Sequence, residues 1–152
     1  MPRLQSTLPQ RKMPAIATKR EGGFYKQVKE AAQRSTRKLS LTRIENWVGA
    51  GIPDIVICDE TGSFHFVELK YCTGNRVELR PAQVAWLTKH QHGSCWILIK
   101  RQTKPTEPAE CLLYPASAAV DLKMYGITKV EPLFRGEQPF AWDTLFGLTC
   151  PT

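Results

Sequence analysis

Residues 51–70, GIPDIVICDETGSFHFVELK, contain two apolar runs that flank the short polar turn DETG. Apolar runs rich in β-branched and aromatic residues, joined by a turn that contains glycine, predict a β-hairpin. The near-continuous hydrophobicity of both runs indicates strands in a sheet that is covered on both faces. Yet Asp54 lies in the first run, and Glu68 and Lys70 lie in the second. A fold for this chain must therefore accommodate three charges within segments that otherwise resemble core.

The register of the predicted hairpin brings these charges together. With the turn centred on residues 60–61, the residue opposite Asp54 is Val67 or Glu68, so the two carboxylates become neighbours across the strands. Glu68 and Lys70 are two residues apart and therefore point to the same face of the sheet. Two carboxylates and one ammonium group are thus expected to converge on one small region.

Two explanations of this cluster differ in chemistry. Burying the charges without partners would cost several kcal/mol each, and mutual salt bridges would reduce that cost. Salt bridges explain one carboxylate with one lysine, but further carboxylates repel each other unless a positive charge lies between them. Mg²⁺ would supply that charge, since it binds oxygen ligands and accepts one or two carboxylates. A metal-bound water and an adjacent lysine would suit hydrolysis of a phosphodiester.

The rest of the chain predicts an α/β domain. Helices are expected over residues 21–34, within 80–93 and over 115–126, and strands over 39–48, 53–58, 64–71, 94–101 and 111–114. The order is α-β-β-β-α-β followed by a β/α extension over residues 102–152. This order describes an α/β sandwich with a mixed central sheet flanked by helices.

Glu21 is expected at the first turn of the first helix. It precedes Phe24 and Tyr25 by three and four residues, so it shares their apolar, inward face. An inward-facing carboxylate at a first turn is commonly a capping carboxylate that interacts with the helix dipole, and that interpretation stays open beside a functional one.

Length and composition restrict the class of protein. A chain of 152 residues suits one domain, which we place over residues 21–152. The five cysteines form no CxxC pair, so a zinc cluster or a disulfide framework is not expected, and a reducing compartment such as the cytoplasm fits best. No apolar stretch approaches the roughly 20 residues that span a bilayer, and we expect no secretory signal.

Residues 1–20 form a basic segment. They contain five of the 21 basic residues, no acidic residue and three prolines, in a chain of net charge +7. This composition predicts a flexible basic arm. The arm is either a solvated tail or an extension whose residues, among them Lys19 and Arg20, contact the phosphates of DNA.

The charged hairpin resembles a known signature. Pro53-Asp54 followed by Glu68-Leu69-Lys70 matches the motif of the PD-(D/E)XK nuclease superfamily. Within it the chain is most similar to the VRR-NUC (virus-type replication-repair nuclease) family, which has an early Glu, G-x-P-D, E-x-K, a loop with Gly and a helix carrying Gln. The matching residues are Glu21, Gly51, Pro53, Asp54, Glu68, Lys70, Gly74 and Gln83. The resemblance covers about residues 21–101.

The resemblance implies a PD-(D/E)XK nuclease-like fold and a metal-dependent DNA endonuclease. Members of the family use Mg²⁺, for which Mn²⁺ can substitute, and several cut branched DNA or flaps. Some are encoded by phages, and small members resemble Holliday-junction resolvases. The implied setting is DNA replication, recombination or repair. Two alternatives stay open: a general DNA exonuclease, and a non-catalytic DNA-binding protein on the same fold, against which the intact motif argues.

The resemblance also implies roles for the motif residues. Asp54 and Glu68 would bind the metal together with the carbonyl of Leu69. Glu21 would bind the metal through water or at a second metal position. Lys70 would position or activate the attacking water.

Residues around the motif have weaker assignments. Gln83 would lie near the lysine or the scissile phosphate, or else be a polar residue on an exposed helix face. Arg76 and Arg80, in a basic loop over residues 70–80, would contact phosphates, or else be solvated. The three histidines are expected to be structural or surface residues. The tryptophans, including Trp86, more often form core than stack on bases.

The C-terminal extension suggests a homodimer. Resolving a four-way junction requires two coordinated cuts, which two identical sites related by two-fold symmetry would provide. Residues 111–148 contain more apolar material than a tail beyond the core needs. The alternative is that this extension covers the edge of the sheet.

Overall fold

The structure is a computed structural model that describes residues 15–44 and 50–152, with side chains from Arg20 onward. Most of the basic arm, the side chain of Lys19 and the end of the strand predicted over 39–48 therefore lie outside the described residues. The described part is an α/β protein with four α-helices and a six-stranded mixed sheet. Within it, no helix combines the length and the apolar composition that crossing a membrane requires.

The order of elements follows the prediction. The helices are α1 Ala15–Arg34, α2 Pro81–Lys89, α3 Ala119–Tyr125 and α4 Trp142–Thr149, and the strands are β1 Ser40–Arg43, β2 Ile55–Cys58, β3 Phe64–Cys72, β4 Cys95–Arg101, β5 Glu110–Pro115 and β6 Phe134–Glu137. The strands lie in the sheet in chain order. Among the described strands, only β3 and β4 pair in parallel, because α2 connects them as a crossover. The extension adds β5 and β6 to the sheet.

Both faces of the sheet are covered, as the apolar runs predicted. Side chains of α1 and α4 pack on one face together with Val67 and Leu69 of β3. Side chains of α2 and α3 pack on the other face together with Ile97 and Ile99 of β4. Because side chains alternate along a strand, Glu68 of β3 points to the face that carries α2.

The start of the first helix differs from the prediction. Helix α1 begins at Ala15, six residues before the predicted start, so residues 15–20 of the expected flexible arm are helical. These residues, AIATKR, include Ala, Lys and Arg, which favour a helix. Glu21 is therefore in the second turn of α1. The alternative of a capping carboxylate at the first turn is wrong.

A polar network holds the turn between β2 and β3. Oδ1 of Asp59 accepts hydrogen bonds from the backbone amides of Thr61 (2.8 Å) and Ser63 (3.1 Å). Oδ2 of Asp59 lies 2.7 Å from Nε2 of the buried His65. Hydrogen bonds from Thr61 and His65 hold the pKa of Asp59 well below its usual range. His65 is thus a structural histidine in this turn, and the network fixes the hairpin geometry.

Candidate functional site

The hairpin places the two carboxylates opposite each other. Ile55 pairs with Val67 in the antiparallel register, so the preceding residue, Asp54, faces Glu68. Of the two registers that the sequence allows, the structure therefore has the one that opposes the acids. Oδ2 of Asp54 also accepts a hydrogen bond from the backbone amide of Leu69 at 2.8 Å. This bond fixes the Asp54 side chain beside β3.

Glu68, Lys70 and Gln83 form a buried hydrogen-bonded group. The side-chain amide of Gln83 donates to Oε1 of Glu68 at 2.9 Å. Nζ of Lys70 donates to Oε1 of Gln83 at 3.0 Å and lies 3.6 Å from Oε1 of Glu68. Glu68 is 1% exposed and Gln83 is 4% exposed, so the alternative of an exposed polar residue at position 83 is wrong. Gln83 links the carboxylate to the ammonium group.

The first turn of α2 positions Gln83. Pro81 stands at the start of the helix, where its fixed φ and missing amide hydrogen are favourable. The backbone amide of Arg80 donates to Oε1 of Gln83 at 2.9 Å, which orients the side chain. Gly51 packs directly against this turn: its φ is +74°, and a Cβ there would lie 2.0 Å from the carbonyl oxygen of Ala82. Only glycine allows this approach.

The site holds more carboxyl groups than its single lysine can pair. Burial and the adjacent charge of Asp54 raise the pKa of Glu68 well above its usual range, although Lys70 opposes the shift. Oε2 of Glu68 is buried and has no hydrogen-bond partner among the described residues. Burial also raises the pKa of Glu21, on which Lys70 and Asp54 act electrostatically. Helix α1 therefore brings a third carboxylate to this region.

These residues can be compared with the needs of a metal ion. In the part of the chain that the structure describes, no group of three or more His, Cys, Asp or Glu is arranged to hold a metal. Mg²⁺, however, commonly binds only one or two carboxylates and keeps several waters. Asp54 and Glu68, with the unpartnered Oε2 of Glu68, fit that smaller donor set. The role of the Leu69 carbonyl stays a prediction, since the contact with Asp54 uses the Leu69 amide.

The three arginines predicted to contact phosphates, Arg20, Arg76 and Arg80, are exposed at the surface. Arg80 is exposed at the start of α2. The side chain of Arg76 is 87% exposed and lies 4.0 Å from Glu78, a surface ion pair that contributes little to stability. The guanidinium of Arg20 lies 5.2 Å from the centre of the Tyr71 ring, which holds it near β3. These three arginines remain accessible to a polyanion.

Asn75 is a structural residue that the sequence analysis missed. Its side-chain oxygen accepts a hydrogen bond from the amide of Thr128 at 2.6 Å, and its backbone oxygen accepts one from the amide of Ile127 at 2.9 Å. Gly126 has φ +77°, and a Cβ there would lie 2.5 Å from the Asn75 amide nitrogen. The C-terminal extension therefore anchors the basic loop. In the sequence, the glycine at position 126 was a local signal of such a close contact, although it equally marks the end of a helix.

Comparisons with protein-family models, with curated proteins and with solved structures found no match to this chain. The geometry of the site and the pattern of its residues therefore carry the functional argument.

We expect Gly51→Ala to destabilise the protein more than Gly62→Ala. Both glycines have positive φ, which costs another residue about 1–3 kcal/mol. Gly62 has no atom within 4 Å of a Cβ, whereas Gly51 abuts the backbone of α2. Urea unfolding of the two variants measures the difference, which isolates the contact with α2. Equal destabilisation would contradict the close contact between Gly51 and the backbone of α2.

Proposed function

We propose that the protein is a metal-dependent DNA endonuclease of the PD-(D/E)XK type, similar to the VRR-NUC family. The observation that carries the proposal is the convergence of Asp54 and Glu68 beside Lys70 and Gln83 at one end of the β2–β3 hairpin. The α-β-β-β-α-β order of elements around this hairpin agrees with that type of nuclease. Mg²⁺ is the proposed cofactor, and Mn²⁺ would substitute for it.

Each residue has a role in the proposed mechanism. Asp54 and Glu68 would hold the metal, with the Leu69 carbonyl as a further ligand and Glu21 acting through water or at a second position. When bound, the metal would make a water easier to deprotonate and stabilise charge on the phosphoryl oxygens. Gln83 holds the ammonium of Lys70 by a 3.0 Å hydrogen bond. Lys70 would orient the attacking water and offset charge in the transition state.

The buried acids favour catalysis over simple DNA binding. A non-catalytic binding surface needs cations that contact phosphates, and carboxylates at that surface would repel the backbone. Here Glu68 is buried with one oxygen unpartnered, which is costly for folding. A bound cation would remove both the repulsion and the unpartnered oxygen. The proposal accounts for this arrangement, whereas the alternative of a non-catalytic binder leaves it unexplained.

We propose branched or flap DNA, including four-way junctions, as the substrate class and a homodimer as the active form. Arg76, Arg80 and Arg20 would contact phosphates around the site, with Lys19 and the rest of the basic arm. The extension exposes large apolar side chains that a second copy could cover, namely Val120, Met124, Tyr125 and Leu133. The same extension continues the sheet with β5 and β6, in agreement with its alternative role of covering the sheet edge.

The proposal predicts cleavage that depends on a divalent metal. Labelled single strands, duplexes, flaps and four-way junctions would be incubated with the pure protein and Mg²⁺, Mn²⁺ or EDTA. We expect cleavage with either metal, none with EDTA, and the fastest rate on a branched form. Cleavage that resists EDTA would exclude the metal mechanism. Absence of cleavage under every condition would support the non-catalytic alternative.

We expect Lys70→Ala to separate chemistry from binding. The cleavage rate should fall by about 100-fold or more, since the lysine acts on developing charge. DNA affinity measured in EDTA should change little, because most affinity comes from phosphate contacts elsewhere. Lys100→Ala is the matched control: Lys100 lies on β4, is partly buried and donates to Gln27 at 2.7 Å. If Lys70→Ala cleaved at the parental rate, Lys70 would be a structural partner of Glu68.

We expect Glu68→Gln to stabilise the metal-free protein while removing cleavage. Folding raises the pKa of Glu68. The loss of folding stability caused by ionising Glu68 is therefore absent below the unfolded pKa of about 4.3 and grows as the pH rises through the folded pKa. The neutral amide avoids that penalty. At neutral pH the gain should be on the order of 1–3 kcal/mol.

Urea unfolding of parent and Glu68→Gln at pH 4 and pH 8 measures this gain. It should be larger at pH 8, and Mg²⁺ should raise the unfolding midpoint of the parent but not of the variant. If Glu68→Gln were less stable than the parent at pH 8 without metal, the inference that an ionised Glu68 destabilises the metal-free protein would be wrong.

A further inference from the structure

We propose that an aromatic surface beside the site binds unpaired bases of DNA, an inference that rests on the proposed function and specifies its substrate. The aromatic surface comprises Phe64 and Phe66 of β3, and Trp86 and His90 at the second half and end of α2. It is distinct from the group of Asp54, Glu68, Lys70 and Gln83. It would select DNA that contains unpaired nucleotides over a continuous duplex.

The aromatic surface continues the geometry of the site. Phe66 precedes Glu68 by two residues on the same face of β3, and Trp86 follows Gln83 by three residues on the same side of α2. The rings of Phe66 and Trp86 have centroids 5.6 Å apart. This aromatic pair therefore lies about 7 Å along the strand from the pair formed by Glu68 and Gln83, a separation comparable to two stacked bases.

The fold leaves part of the aromatic surface exposed among the described residues. Phe64 is 62% exposed, and Phe66, Trp86 and His90 are half-buried. The His90 ring stacks on Trp86 at 3.9 Å, and its Nδ1 lies 2.7 Å from the backbone oxygen of Trp86. These contacts hold Trp86 and His90 in a defined orientation while Phe64 projects outward. The exposed ring of Phe64 beside these half-buried, ordered rings is suited to a ligand with flat faces.

The charge on the α2 side of the surface favours nucleic acid as that ligand, and on the Phe64 side Glu60 of the turn is paired with Arg37 at 2.6 Å. Residues 79–93, which include all of α2, contain Arg80, Lys89, His90 and His92 and no acidic residue. Proteins that bind single strands combine cationic grooves with aromatic rings on which bases stack. Bases within a duplex are already stacked on each other, so only unpaired bases can reach such rings. Flaps, single strands and the opened centre of a junction present them.

The test compares Phe64→Ala with Gln33→Ala in EDTA, where no cleavage occurs. Gln33 is exposed on α1, on the opposite face of the sheet, so both changes truncate an exposed, uncharged side chain without opening the core. Phe64→Ala should weaken binding of a single-stranded oligonucleotide by about 5- to 100-fold, since stacking on one ring contributes that much per base. Its binding of the matched duplex should change less than about twofold. Gln33→Ala should change neither affinity.

Trp86→Phe supplies a second measurement. It keeps an aromatic ring, so affinity for the single strand should be retained, but quenching of tryptophan fluorescence by the oligonucleotide should largely disappear. An unchanged single-strand affinity in Phe64→Ala, or an equal loss on duplex, would overturn the inference. Conversion of a dimer to a monomer by Phe64→Ala in light scattering would instead assign this surface to a second copy.

The outcomes distinguish this inference from the proposed function. If the parent cleaves DNA with Mg²⁺ and Phe64→Ala binds single strands as the parent does, only the role of the aromatic surface fails. If the parent binds single strands through Phe64 but never cleaves, the proposed catalysis is wrong, whereas the binding of unpaired bases by the aromatic surface still holds.

Discussion

The register of the β2–β3 hairpin is the constraint on which the rest of the site depends. A shift by one residue would turn Glu68 and Lys70 toward α1 and bring Val67 and Leu69 to the face of α2. The turn opposes such a shift, because the Asp59 carboxylate accepts hydrogen bonds from the amides of Thr61 and Ser63 and contacts His65. The structural turn and the candidate site are therefore opposite ends of one rigid element.

Much of this arrangement could be predicted because it follows from local periodicity. The alternation of β3 and the length of the turn define which charges share a face, so the opposition of Asp54 and Glu68 was one of two outcomes. The start of α1 was missed, since residues 15–20 follow a proline within a basic, acid-free segment and resemble the rest of that arm. Contacts across long sequence separations, such as Asn75 with Thr128, leave almost no local pattern. The burial of Gln83 likewise depends on how α2 docks, which Gly51 determines.

The site departs from what stability alone would select. A buried carboxylate beside a second one, with an unpartnered oxygen, lowers stability, and such departures concentrate at functional sites. The surrounding core offsets the cost, since Ile55 and Ile97 of the adjoining strands are fully buried. The lysine and the glutamine reduce the penalty without removing it. The chain thus keeps two adjacent carboxyl groups, Asp54 and Glu68, within a well-packed sheet.

The anchoring of Asn75 by residues 125–128 has a consequence for the smallest unit that can fold. The motif residues end near residue 101, but β5 beyond them contributes Leu112, Leu113 and Tyr114, all fully buried. A chain cut after residue 101 would expose the neighbouring strand and remove the partners of the basic loop in the extension, among them Lys123, which donates to the Leu79 carbonyl at 2.6 Å. The segment with the recognisable motif is therefore shorter than the unit that folds cooperatively. Insertions within the extension would change the conformation of the basic loop.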